Sequence, residues 1–200
     1  MTYRPITYDH VPDAFLKDEV FLRADWLLSD AYGMFGMQPV SGTGGGNWSI
    51  ALVLLCVVDG ISVHVYPTRA VKRQKQRFKR LIREKLHWGP IKKGWCRKED
   101  AIDVFYAEFR NPLVHELAVD KPARARRRDR SITHESAIGK WGSIPEQSQN
   151  IDAIDAMTTW NDDWPTLRVE DYEGGKRLKL SCAALYWAVK KMVSALAADR

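Results

Sequence analysis

Apolar residues recur every three or four positions through residues 13–31, at Leu16, Val20, Ala24, Leu27, Leu28 and Ala31, which is the spacing of one face of an amphipathic helix. A glycine-rich stretch follows. Asn47 then stands directly before Trp48 and an unbroken apolar run over residues 50–58, so the pattern predicts a buried helix that Asn47 can cap. Residues 61–66 have strand-like composition but lie between that run and Pro67, which leaves helix continuation and a short extended piece both open. Over residues 68–88, Val71, Phe78, Leu81, Ile82 and Leu86 mark an apolar face while lysines and arginines fill the other, a basic amphipathic helix that Gly89-Pro90 breaks. Asp100 can cap a further helix with Ile102, Phe105, Tyr106 and Phe109 on its buried face, and this helix runs into Arg110-Asn111-Pro112. Periodicity is lost after residue 120. It returns at Leu167–Tyr172 and residues 177–181, which read as a β-hairpin joined across Glu173-Gly174-Gly175-Lys176. The last helix carries Cys182, Leu185, Tyr186, Val189, Met192, Val193 and Leu196 on one stripe.

Two hundred residues at 45% hydrophobic and 10% aromatic suffice for one closed core and exclude disordered, collagen-like and coiled-coil classes. The expected organisation is a single domain over residues 1–200, mainly α, with a loop-rich insertion and hairpin at 121–181 before the C-terminal helix. The apolar run stops at Asp59, short of the ~20 residues of a membrane helix, and no basic-then-apolar signal opens the chain. The expectation is a soluble cytoplasmic protein with no membrane partner. Cys56, Cys96 and Cys182 are odd in number, far apart and without a C-x-x-C pair, so they support neither a disulfide framework nor a zinc site and read as core filler.

Charge sharpens the picture through its distribution rather than its total of +6. Residues 69–98 hold 13 Lys and Arg against the single acid Glu84, and residues 121–130 add 6 against Asp129, leaving 12 basic and 23 acidic residues elsewhere. Two basic blocks on an otherwise acidic chain suit a polyanion partner, with Lys72, Arg73, Arg80 and Arg83 as candidate RNA contacts. A solvated helix face and a basic loop would produce the same counts.

The most specific segment is Phe109-Arg-Asn-Pro-Leu-Val-His-Glu-Leu117. Pro112 disfavours helical geometry at Asn111 yet suits the first turn of a new helix, and Asn caps well, so a break between Arg110 and Leu113 could turn Arg110 and His115 toward one cleft. A guanidinium beside a helix N-terminus makes a phosphate-binding corner, and an imidazole with a pKa near 6.5 exchanges protons at neutral pH. A purely structural reading pairs Arg110 with Glu108 or Glu116, uses Asn111 as a cap and leaves His115 a satisfied helix residue.

Arg110, Asn111 and His115 resemble the signature of the HEPN domain family: an Arg, commonly followed by Asn, His or Asp, then a His four to six positions after that Arg. Asn47 with its preceding glycines and the Tyr186-Trp187 helix are similar to uncharacterised bacterial members. The resemblance implies a helical bundle, a homodimer placing two motifs across a shared cleft, a setting in toxin–antitoxin or defence systems and, in many members, metal- and cofactor-independent RNase activity. His115 would then be general acid or base while a ribose 2′-hydroxyl attacks the adjacent phosphate, Arg110 would stabilise the developing charge, and Asn111 would orient the phosphate or cap the helix. Other members are non-catalytic and would bind RNA, a nucleotide or a protein partner. Some toxins carry a Tyr two residues after the His, where a partner enzyme modifies them; position 117 here is Leu.

Other signals are weaker. Gly42-Thr43-Gly44-Gly45-Gly46 lacks the Gly-Lys-Ser/Thr ending of a phosphate loop and reads as a hinge and cap. His10, His64, His87 and His134 show no ligand spacing, Asp152, Asp155, Asp162 and Asp163 suit a solvated surface, and no G-x-S-x-G elbow occurs. Trp141, Trp160 and Trp164 could stack on bases or pin the loop-rich segment to the bundle.

Overall fold

A computed structural model describes residues 15–36, 47–66, 73–87, 98–110, 143–146, 167–172 and 175–199, and these residues are mainly α-helical. A π-helical segment, Leu16–Phe21, leads into α1, Leu22–Phe35. The wider π turn changes which residues share the core face. Bonds from i to i+5 stack Phe21 on Leu16, so these two are buried while Val20 is half-buried; Leu27, expected inside, lies in the regular helix that follows, at the edge of its buried stripe, and is exposed. Ala24, Leu28 and Ala31 continue the buried stripe at ordinary helical spacing.

The second helix, α2, spans Asn47–Val65, so residues 61–65 continue it rather than forming an extended piece. Ile50, Ala51, Leu54, Leu55, Val57, Val58 and Ile61 are buried, and α1, α3 and the C-terminal helix all pack on this one. Its Trp48–Val65 stretch, with mean hydropathy 2.0, is long and apolar enough to cross a membrane by length and composition, and 44% of it is buried inside the fold. Cys56 faces outward, not into the core as expected, whereas Cys182 is buried.

Helix α3, Gln74–Glu84, is shorter than its sequence pattern, with Arg73 in extended geometry at its N-terminus. Phe78, Leu81 and Ile82 enter the core, each such burial being worth about 1.5–3 kcal/mol. Helix α4, Lys98–Val104, starts before Asp100, which is therefore inside the helix and not its cap. A second π-helical segment, Phe105–Arg110, continues it.

Three strands form a sheet in the order β1-β3-β2, where β1 is Ser143–Glu146, β2 is Leu167–Tyr172 and β3 is Gly175–Ser181. β2 and β3 are antiparallel with Tyr172 opposite Gly175, so Gly175 and Lys176 belong to the strand and not to the turn. The parallel strand β1, which pairs Ser143 with Leu178, lies in a stretch whose sequence shows no periodicity. Ser181 ends β3 and caps α5, Cys182–Ala198, its Oγ accepting from the Ala184 N–H at 3.2 Å. The α5 stripe expected from sequence is buried, and Ala183, Ala184, Trp187 and Ala188 are buried with it, so the first half of α5 is enclosed on every side.

Candidate functional site

Arg110 is the last residue of the second π segment, and the π register decides where it goes. Stacked five residues after the buried Phe105, it points into the core with only 2% of its surface exposed. Its Nη2 donates to Asp59 Oδ2 at 2.6 Å, and Nη1 reaches the Tyr106 hydroxyl at 3.4 Å. The Tyr106 and Phe78 rings lie 5.3 and 5.9 Å from the guanidinium carbon, so aromatic faces supply part of its environment. Phe78 in turn meets Phe105 and Tyr106 at centroid distances of 6.1 and 5.5 Å, which fixes the rings around the charge.

Asp59, whose side chain is 15% exposed, comes from the middle of α2. Its Oδ2 accepts from Gln74 Nε2 at 2.5 Å as well as from Arg110, which ties the first turn of α3 to the pair. Its backbone carbonyl accepts from Ser62 Oγ at 2.7 Å. Among the described residues nothing donates to its buried Oδ1, which leaves one acceptor position beside the guanidinium. The described acid that meets Arg110 is therefore on another helix, while Glu116 lies outside the described residues.

Asn111 and His115 lie outside the described residues, as does Lys72. Arg73 is exposed and precedes α3 in extended geometry, while Arg80 and Arg83 stand three residues apart on α3. Arg80 Nε donates to Glu84 at 2.8 Å, with its guanidinium 4.6 Å from the Tyr66 ring centroid, and Arg83 binds Glu99 of α4 through Nε and Nη2 at 2.6–2.9 Å. Lys79 pairs with Asp103. The acids missing from the basic stretch of sequence thus arrive from α4, and the positive face is partly neutralised. Tyr66 donates to Glu84 Oε2 at 2.8 Å; burial, then this bond, raises the phenol pKa, while hydrogen bonds from Tyr66 and Arg80 hold the Glu84 carboxyl below its ordinary value.

No family model, curated protein or solved structure matches the chain. Among the described residues no group of three or more His, Cys, Asp or Glu side chains could hold a metal ion. A groove of about 240 Å³ between the first helical layer and α2 is lined by apolar side chains such as Phe15, Leu27 and Ile61, with Cys56 and His64 also facing it. Burial lowers the His64 pKa below its ordinary value. Asp59, Gln74 and Tyr106 are the site residues that motif spacing missed. The available signal was Asp59 itself, a single acid within an otherwise apolar helix.

Proposed function

We propose that the chain is a HEPN-like protein acting on RNA, a metal-independent endoribonuclease that works as a homodimer and needs no cofactor. The observation that carries this reading is the Arg110–Asp59 pair. A buried ion pair adds little net stability over apolar side chains of similar volume, so a guanidinium fixed in the core one residue before Asn111 is better understood as a positioned group than as packing. In the proposed reaction the 2′-hydroxyl, deprotonated by a base, attacks the adjacent phosphorus, the bond from phosphorus to the 5′-oxygen breaks, and the leaving oxygen takes a proton. His115 supplies one of these proton transfers, Arg110 stabilises the phosphorane charge and Asn111 orients the phosphate. Asp59 is a positioning residue acting through Arg110. The products are a 2′,3′-cyclic phosphate and a 5′-hydroxyl, and Lys72, Arg73, Arg80 and Arg83 add sequence-independent affinity.

The test is cleavage of mixed cellular RNA in EDTA with product-end mapping. His115→Ala is expected to abolish cleavage and leave the melting temperature nearly unchanged. Arg110→Ala is the less clean variant because it also leaves Asp59 unpaired in the core, so its activity is compared at matched folded fraction. Equal cleavage by wild type and His115→Ala refutes the catalytic assignment.

A second reading, a non-catalytic HEPN-like module that binds RNA, a nucleotide or a protein partner, is favoured by the near-complete burial of Arg110. It expects salt-dependent RNA binding that survives His115→Ala and is lost when Lys72, Arg73, Arg80 and Arg83 are neutralised together. Binding insensitive to both salt and those charges rules it out.

A further inference from the structure

The cations of α3 do not form one undivided face. Lys75, Lys79 and Arg83 stand four residues apart on a single stripe, and α4 with the π segment that continues it sets Glu99, Asp103 and Tyr106 against them. Arg83 binds Glu99 at 2.6–2.9 Å and Lys79 pairs with Asp103. The ammonium groups of Lys75 and Lys79 lie 5.4 and 5.8 Å from the centre of the Tyr106 ring. The rungs Arg83–Glu99, Lys79–Asp103 and Lys75–Tyr106 run in opposite directions along the two elements, so these are antiparallel and the ladder ends beside Arg110.

Two rungs set a cation on a carboxylate, and the third sets a cation on an aromatic ring. The Arg110 guanidinium carbon, one turn further on, is 5.3 Å from the centre of that ring. Three cations therefore approach Tyr106 at the end of the ladder nearest the Arg110-Asn111 motif. The first turn of α3 holds no acid, and Asp59 is engaged by Arg110 and Gln74. We propose that this end of the ladder takes a phosphate group of the RNA backbone, with Lys75 and Lys79 as its cationic contacts and the Tyr106 hydroxyl as a hydrogen-bond donor. The inference rests on the RNA reading above and names where that site holds the backbone.

Arg110 is shielded in the core, whereas Lys75 is exposed and Tyr106 half-buried. The guanidinium donates to the phenol oxygen at 3.4 Å, which leaves the phenol proton for a further acceptor. Through that one hydroxyl the buried charge acts on a phosphate that it does not touch. Arg80 and Arg83 are engaged with Glu84 and Glu99, so they add to the field along the strand while the subsite fixes its register.

Fluorescence anisotropy of a short labelled oligoribonucleotide with methylated 2′-hydroxyls measures binding to the full chain without cleavage. Lys75→Gln/Lys79→Gln is expected to weaken binding about tenfold or more at low salt, with unchanged melting temperature, and to flatten the slope of log K against log salt by about 0.7 per lysine. Lys190→Gln/Lys191→Gln removes the same charge from exposed positions of α5 and should change binding less than about twofold. Lys75→Arg should bind as wild type does, and Tyr106→Phe, which keeps the ring, should weaken binding about threefold. Asp103→Asn lengthens the acid-free end by one rung and should tighten binding about two- to threefold, a gain that misfolding does not produce. Absence of wild-type binding, or equal losses from the α3 and α5 lysine pairs, overturns the subsite. Binding unmoved by Tyr106→Phe removes the phenol from it. Cleavage of unmodified RNA is measured separately: a protein that binds through these lysines without cutting refutes the nuclease and keeps the subsite, and one that cuts through His115 with the lysines irrelevant does the reverse.

Discussion

Removing one member of the Arg110–Asp59 pair leaves the other charge in the core without its partner. Arg110 is 2% and Asp59 15% exposed, at 2.6 Å separation, so the pair falls among those whose breakage costs about 3–5 kcal/mol. Arg110→Met leaves the Asp59 carboxylate with Gln74 as its described donor, and Asp59→Leu leaves a guanidinium among the Phe78 and Tyr106 rings. At about 2–4 °C per kcal/mol for a chain of this size, each single variant should lower Tm by roughly 6–20 °C. The double variant Asp59→Leu/Arg110→Met removes both charges at nearly constant volume and should return to within about 1–2 kcal/mol of wild type. Urea unfolding followed by circular dichroism measures the cycle. Single losses below about 1 kcal/mol, or losses that add in the double variant to within about 0.5 kcal/mol, refute the argument that the two groups depend on each other.

Phe78→Ala removes a fully buried ring that touches Phe105 and Tyr106 and should cost about 3–5 kcal/mol in urea unfolding; a loss below about 1 kcal/mol contradicts that packing. The Glu84 carboxyl sits below its ordinary 4.5 because Tyr66 and Arg80 bond to its charged form, so its stabilisation is complete above the unfolded-state value and is lost as pH falls through the lower folded one. Tyr66→Phe should raise the Glu84 pKa in an NMR titration, and an unmoved curve refutes the assignment. Burial lowers the His64 pKa from 6.5, so the unfolded chain takes up the proton first and stability should fall as pH drops below that value. His64→Phe should flatten this part of the Tm profile, and equal slopes in the two proteins would show that another group titrates there. Arg83→Ala, which breaks an exposed pair with Glu99, should change stability by less than about 1 kcal/mol in the same unfolding assay.

The helices were legible where their apolar spacing was strong. Residues 50–58 form the middle of α2, Phe78, Leu81 and Ile82 face inward from α3, and the stripe from Cys182 to Leu196 is the core face of α5. The pattern failed where the helical period changed. Val20 belongs to a 3.6-residue repeat, whereas the π segment puts Leu16 and Phe21 together; Leu27 sits at the edge of the buried Ala24, Leu28 and Ala31 stripe and is exposed. Strand β1 was illegible because Ser-Ile-Pro-Glu has no alternation and is held by a neighbour more than thirty residues away in sequence.

For the candidate site, sequence by itself determined which chemical groups are present: a guanidinium, an amide and an imidazole around a proline break, and a basic helix to accompany them. It also determined that most of α2 is too apolar to lie in water on all sides. Only the tertiary structure decided that Arg110 turns inward, that its partner is Asp59, and that Arg83 and Lys79 meet acids from α4. The reason is that periodicity records the face of a helix on which a residue sits, while an ion pair depends on which helices are packed together and in what register. The sequence separation of 51 positions from Asp59 to Arg110 carries no local trace of the 2.6 Å contact that joins them.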